Sequence, residues 1–257
     1  MTLILKALGG ITMNKNRKKF FTILSTGLIS LNILTFTNSN VYSYTKNLIK
    51  LEQNNNHKKI AYITIDDGPS IYTNEIINIL NKYNAKATFF MIDKNMKNYP
   101  NEVKNIIKNG NTAGFHSVSH DINKLYKSDV SAKKEFDINK ETFYEITGKE
   151  SNIVRLPYGS KPYTSEKSYE ALVDASYKVW DWNIDTQDWK LSKDQILENV
   201  KKFSKNKDKL IILIHERKQT VQALDSMLNY LTKEGYELLP ISQDQDPKNF
   251  WLNNLYK

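Results

Sequence analysis

The 257 residues include no cysteine, so no disulfide can staple the fold, and any metal must be held by histidine, aspartate or glutamate. Histidine is itself scarce, with four in the chain. No segment repeats. Acids are missing altogether from the first 43 residues, whereas five basic residues (Lys6, Lys15, Arg17, Lys18 and Lys19) lie there. Setting those five aside lowers the formal charge from +9 to +4. The remaining lysines are scattered among asparagine and glutamate, as on a solvated face, and nucleic acid is not expected as a partner.

What the N-terminal stretch does contain is ordered. "KNRKK" (15–19) leads into the apolar run "FFTILSTGLISLNILTF" (20–36), and Val41, Tyr42 and Ser43 follow as a plausible cleavage region. This is the layout of a secretory signal peptide. The run is 17 residues long and interrupted by Thr, Ser and Asn, so an uncleaved anchor is the alternative for residues 1–43. Met13 stands as a candidate start. The expectation is a secreted, cell-surface or cell-wall-associated protein, touching a membrane only through such an anchor, and monomeric. Residues 44–59 read as a polar linker, 60–242 as one catalytic domain, and 243–257 as a tail whose one suggestion of structure is a short packing helix.

From Ile60, short apolar β-rich runs alternate with segments of helical period. Seven strands are predicted: 60–65, 86–92, 112–116, 153–156, 178–184, 210–215 and 236–241. Between them, Ile76, Ile77, Leu80 and Tyr83 share one face of a helix over 73–84, and two more helices end in Gly110 and Gly148. Strands apolar on both faces, alternating with helices, imply an α/β fold with a parallel sheet, doubly wound or closed as a distorted (β/α) barrel of seven or eight units. In a barrel the active site lies at the strand C-terminal ends.

The polar residues just past each strand are consistent with that. They are Asp66-Asp67, His116 with His120, Arg155 followed by Pro157-Tyr158, Asp185 with Asp188-Trp189, and His215. Three of the four histidines fall here, and His57 lies in the linker. His116 and His120 are spaced i, i+4, so on a helical turn both rings would project from one face toward one ion. Asp66 or Asp67 would complete a His-His-Asp set, and Arg155 would pair with the other acid. The Gly68-Pro69 break would end the strand's alternation and let both carboxylates face one site. His215, at a buried strand end beside a carboxylate, would have a raised pKa and suit a general acid. Trp189 would line a groove, and Trp182 reads as core.

Together, "TIDDGP" (64–69), "HSVSH" (116–120), "RLPYG" (155–159), "DTQDW" (185–189) and "LIH" (213–215) resemble the five ordered motifs of the NodB-like polysaccharide deacetylases, carbohydrate esterase family 4. The resemblance spans roughly residues 60–242. It implies a distorted (β/α) barrel that hydrolyses N-acetyl groups of a glycan with one divalent ion, zinc by default and cobalt, nickel or iron otherwise. By motif position it implies Asp66 as general base, Asp67, His116 and His120 as metal ligands, and Arg155 as the residue orienting the base. It implies the Tyr158 N–H at the oxyanion and His215 as general acid tuned by Asp188. Pro157, Tyr158, Trp189 and Asp185 would contact substrate. Ile65 stands where Phe is frequent and Glu216 where Asp is frequent. Peptidoglycan N-acetylglucosamine is the leading substrate. Chitin oligomers, exopolysaccharide, N-acetylmuramic acid and acetyl-xylan are alternatives, and a non-catalytic glycan-binding barrel or a metal phosphohydrolase are rivals of other classes.

Overall fold

The structure, a computed structural model, describes residues 58–255. The predicted signal or anchor segment, most of the linker and His57 lie outside the described residues. The strands are β1 (Ile60–Asp66), β2 (Thr88–Met91), β3 (Thr112–Phe115), β4 (Ile153–Val154), β5 (Lys178–Val179), β6 (Ile184–Asp185), β7 (Lys209–His215) and β8 (Glu237–Leu239). The helices are α1 (Thr73–Lys82), α2 (Asp93–Asn98), α3 (Pro100–Lys108), α4 (Ile122–Leu125), α5 (Ser131–Thr147), α6 (Glu166–Asp174), α7 (Lys193–Ser204) and α8 (Lys218–Lys233).

Every strand pair is parallel, in the order β5-β4-β3-β2-β1-β7-β6, with β8 against the first residues of β1. The predicted α/β architecture is therefore present as a curled half-barrel in a single domain. Its ladder is not closed, because no pairing joins β5 to β6 among the described residues.

The one strand predicted over 178–184 is instead two, β5 and β6, at opposite ends of the sheet. The intervening Trp180–Asn183 stretch carries two tryptophans and reads as strand, but the carbonyls of its middle residues are used otherwise. The carbonyls of Trp180 and Asp181 accept from Arg155 at 3.0 and 3.1 Å, and the Asp181 N–H donates to Lys248 O. Its two ends still bond to the sheet, Trp180 N–H to Val154 O and Asn183 N–H to Ile211 O, and between them the stretch crosses the open side of the half-barrel.

Strand alternation divides the interior in two. On β1, Ala61, Ile63 and Ile65 join the larger core with Ile76 and Leu80 of α1 and Leu224 and Leu228 of α8. Tyr62 turns to the other face, in a smaller cluster with Phe90, Ile153, Trp180 and Ile211. Thr64 and Asp66, two and four residues on, continue that second face and are buried there.

Residues 243–255 form no helix, contrary to the packing helix suggested by sequence. They are held by Leu255 and Phe250 in the smaller cluster, by Trp251 stacked on Tyr169, and by polar contacts. Lys178 Nζ donates to Gln243 O and Gln245 O, Asn249 Nδ2 to Val179 O, and Trp251 Nε1 to Ser160 O. The tail thus packs against β5 and the 180–183 crossing as part of the domain.

Gly114 on β3 permits a close approach, since a Cβ there would lie 2.6 Å from the Phe90 ring and 3.2 Å from Ile153 O. The same ring lies under the Arg155 guanidinium, 4.2 Å from centroid to carbon. Gly114→Ala should therefore destabilise the domain by about 1–3 kcal/mol, measured by urea unfolding, and should displace Arg155 as well.

Candidate active site

Parallel strands deliver their last residues to one end of the sheet. Asp66 closes β1 and His215 closes β7, and the two are register partners. His116 follows β3 and Arg155 follows β4, whose preceding residues, Phe115 and Val154, are also partners. The sequence-predicted base, acid, metal histidine and arginine thus converge because of strand register alone.

Arg155 is fully buried. Its Nη1 donates to Asp66 Oδ1 at 2.9 Å and to Thr64 Oγ1 at 2.7 Å, while Nε and Nη2 take the Trp180 and Asp181 carbonyls. Asp66, buried beside it, has its other oxygen 3.6 Å from His116 Nε2. A buried carboxylate is tolerable when its charge is met and its oxygens are engaged.

Asp67 diverges from Asp66 because its φ is +72°. The alternation breaks at Asp67 itself, one residue before the predicted Gly68-Pro69 position. This left-handed conformation, tolerated better by Asp than by most residues, turns the second carboxylate toward the histidines. Its carbonyl accepts from Asn95 Nδ2 at 2.6 Å, and Glu216 accepts from the Ser70 and Thr73 hydroxyls at 2.5 and 2.7 Å, bracing the loop that follows.

The HSVSH segment is not a helical turn, contrary to the i, i+4 expectation. Ser117 and His120 have φ of +73° and +49°, which an α-helix excludes. The rings still converge, with centroids 5.0 Å apart. Asp67 Oδ1 lies 3.7 Å from His116 Nε2 and 3.4 Å from His120 Nε2. Donors about 2.1 Å from one tetrahedral ion are separated by about 3.4 Å, so the spacing suits a shared cation. Two further observations fit. Asp67 Oδ1 is buried with no hydrogen-bond partner among the described residues, and His116 Nδ1 lies 2.8 Å from Arg155 O, which must accept, so the Nε2 lone pair is left free. Burial lowers the His116 pKa despite the nearby charges of Asp66 and Asp67, favouring the neutral ligating form.

On the other side, Asp188 is fully buried and accepts from the His215 N–H at 2.6 Å and Thr220 Oγ1 at 2.6 Å, with its second oxygen 2.8 Å from His215 Nδ1. Desolvation works to lower the His215 pKa, but the bond and charge of Asp188, with Asp66 and Asp67 beyond, push it up to about 9. Asp185 does not reach this pair; its carboxylate accepts from the Gln187 N–H. Tyr158, with φ +66°, sets its ring 5.0 Å from that of His120, and its N–H donates to no partner among the described residues. Pro157 is buried, its carbonyl 3.2 Å from Tyr126 Oη. Trp189 is 53% exposed at the rim. Trp182 is half-buried, its ring 5.5 Å from Phe250 and 5.6 Å from the Arg155 guanidinium carbon.

Thr64, Asn95 and Asp181 support the site and escaped the sequence reading. Asp181 is buried, accepts from the N–H groups of Ser160 and Phe250, and has a pKa raised by burial. Its signal was an acid between two tryptophans inside an apolar run.

The His215–Asp188 pair gives a sign to pH dependence. A raised folded pKa means stabilisation that is complete below about 6.5, the ordinary imidazole value, and lost as pH rises through about 9. NMR titration of the imidazoles should find His215 protonated well above pH 7, and Asp188→Asn should bring its midpoint down by more than one unit.

Comparison with known proteins agrees with this geometry. The polysaccharide deacetylase family matches residues 53–180. A peptidoglycan-N-acetylglucosamine deacetylase of Bacillus cereus is 38% identical over 212 residues, covering 78% of this chain and 76% of that protein. Another from the same organism is 36% identical over 198 residues, covering 73% and 89%. The crystal structure of the polysaccharide deacetylase Bc1974 from Bacillus cereus matches with a TM-score of 0.73 at 37% identity, over 77% of this chain and 100% of that one. With relatives this similar over most of both chains, and the five motifs meeting at one end of a parallel half-barrel, the chain belongs to the NodB-like polysaccharide deacetylases, carbohydrate esterase family 4.

Proposed function

We propose that this glycan deacetylase hydrolyses the N-acetyl amide of N-acetylglucosamine residues in peptidoglycan, releasing acetate and leaving a free amine. The observation that carries the reading is the strand register that sets Asp66 against His215, with Asp67, His116 and His120 gathered alongside. The names of the Bacillus cereus relatives support the choice of sugar. The basic cluster and apolar run of residues 15–36 support export to the cell surface.

Asp67, His116 and His120 would hold one divalent ion, with zinc the default for such a set and cobalt, nickel or iron as alternatives. When bound, the ion supplies Lewis acidity to a water and to the acetamide carbonyl. Asp66, held in place by Arg155, takes a proton from the attacking water as the new C–O bond forms. The Tyr158 N–H, which has no partner among the described residues, donates to the carbonyl oxygen as it gains charge. His215 has Nδ1 engaged by Asp188, so its Nε2 proton is the one available to the departing nitrogen. Transfer of that proton lets the C–N bond break, giving acetate and amine.

Mass spectrometry of muropeptides treated with the purified domain should show loss of one acetyl group on the glucosamine, abolished by chelator and restored by added divalent metal. Acetylated product under every metal tried would contradict the proposal. Asp66→Asn should lower turnover by at least a thousandfold while the protein still binds metal. His120→Ala should lose the metal, and full metal occupancy in that variant would refute the ligand assignment.

A further inference from the structure

The two histidines are not equally secured. His116 is buried, its N–H donates to Met91 O at 2.8 Å, and its Nδ1 is bonded to the Arg155 carbonyl. His120 lacks such support. Its ring makes no hydrogen bond to the protein apart from its approach to Asp67 among the described residues, and its side chain is 28% exposed. Where its Nε2 sits depends on the backbone of residues 117–120, which contains two left-handed residues, Ser117 and His120. Such a loop does not hold itself.

Asp93, whose N–H donates to Ser117 O at 3.1 Å, and the Tyr158 hydroxyl, 3.4 Å from His120 O, hold its two ends, and one face of α5 holds the middle. Glu135 and Asn139 are spaced i, i+4 and so lie one turn apart on that face. Glu135 Oε2 accepts from the N–H groups of Val118 and Ser119 at 2.9 and 2.8 Å, and Oε1 accepts from Ser119 Oγ at 2.7 Å. Asn139, fully buried, donates from Nδ2 to Ser117 O at 3.1 Å. Within the loop, the His120 N–H donates to Ser117 Oγ at 3.0 Å. The helix therefore grips two of the loop's backbone donors and one acceptor, and a carboxylate accepting from two N–H groups makes charge-assisted bonds.

We propose that Glu135, with Asn139, is a positioning residue that keeps His120 within reach of an ion shared with Asp67 and His116, and so sets the affinity of the metal site. This rests on the reading of Asp67, His116 and His120 as the ligand set. Residues that orient ligands without touching the metal typically change affinity by about 10–100-fold when removed.

The test is chelator competition for Zn²⁺ and Co²⁺ with the folded domain, comparing wild type, Glu135→Ala, Glu135→Gln and Glu141→Ala. Glu141 is exposed on the same helix and serves as the control. Glu135→Ala should weaken binding by at least tenfold and alter the visible spectrum of bound Co²⁺. Glu135→Gln should stay within about threefold of wild type, because its amide oxygen can still accept from both N–H groups. Glu141→Ala should be unchanged. If Glu135→Ala melts far below wild type without metal, Glu135→Asp, one methylene too short, provides the same comparison with an intermediate loss. Wild-type affinity in the alanine and aspartate variants would overturn the proposal, as would equal losses in Glu135→Ala and Glu135→Gln. Failure of the wild type to bind either ion would instead overturn the ligand set itself, and this proposal with it.

Discussion

The buried pair of Arg155 and Asp66 is the constraint around which the molecule is arranged. An arginine with no exposed surface needs every nitrogen engaged. Here one carboxylate, one hydroxyl and two carbonyls meet that need. Removing one partner of such a pair costs about 3–5 kcal/mol, because a charge is left in a medium that cannot solvate it. Satisfying the arginine also shapes the chain. The Trp180 and Asp181 carbonyls are taken from the sheet, so the half-barrel stays open between β5 and β6, and the polar tail covers that side through Asp181.

The site divides between rigid and borrowed geometry. Asp66, His116, Arg155 and His215 stand at or directly after strand ends, where parallel register fixes their spacing. Asp67, His120 and Tyr158 lie in loops with positive φ, conformations that carry local cost and persist only where surroundings impose them. The surroundings are visible in each case. Asn95 takes the Asp67 carbonyl, the α5 face takes the HSVSH loop, and the Tyr158 ring leans on His120. His215 and Asp66, the proposed acid and base, also differ in environment. Asp188 gives His215 a raised pKa from one side, whereas Arg155 supplies positive charge to Asp66 from the other.

Most of this was readable from residue type and order. Strand-end polar residues marked the site because apolar runs are easy to see and parallel sheets collect their C-terminal ends. Helix ends at Gly148 and the face of α1 followed from periodicity. What escaped were features without a period. "KVWDWNI" looks like one strand because Val179, Trp180, Trp182 and Ile184 are strand formers, and nothing in those side chains reports that Arg155 occupies its carbonyls. The i, i+4 spacing of the histidines suggested a helical turn, but Ser117 and His120 adopt left-handed backbone that spacing does not encode. The tail packs through isolated apolar residues, Phe250, Trp251 and Leu255, and through side-chain-to-backbone hydrogen bonds from Lys178, Asn249 and Trp251, a mixture with no period to read. Glu135 sits in a helix full of charge and was indistinguishable from its solvated neighbours.

The proposed cation site lies between Asp67, His116 and His120, beside the register-matched Asp66 and His215. Anomalous diffraction at a metal absorption edge, from crystals grown with that metal, tests it directly. A single strong peak is expected, bounded by Asp67 Oδ1 and the Nε2 atoms of both histidines. A peak bound by Asp66 with Asp67 remote, or a metal-saturated crystal with no density at the three donors, would contradict it.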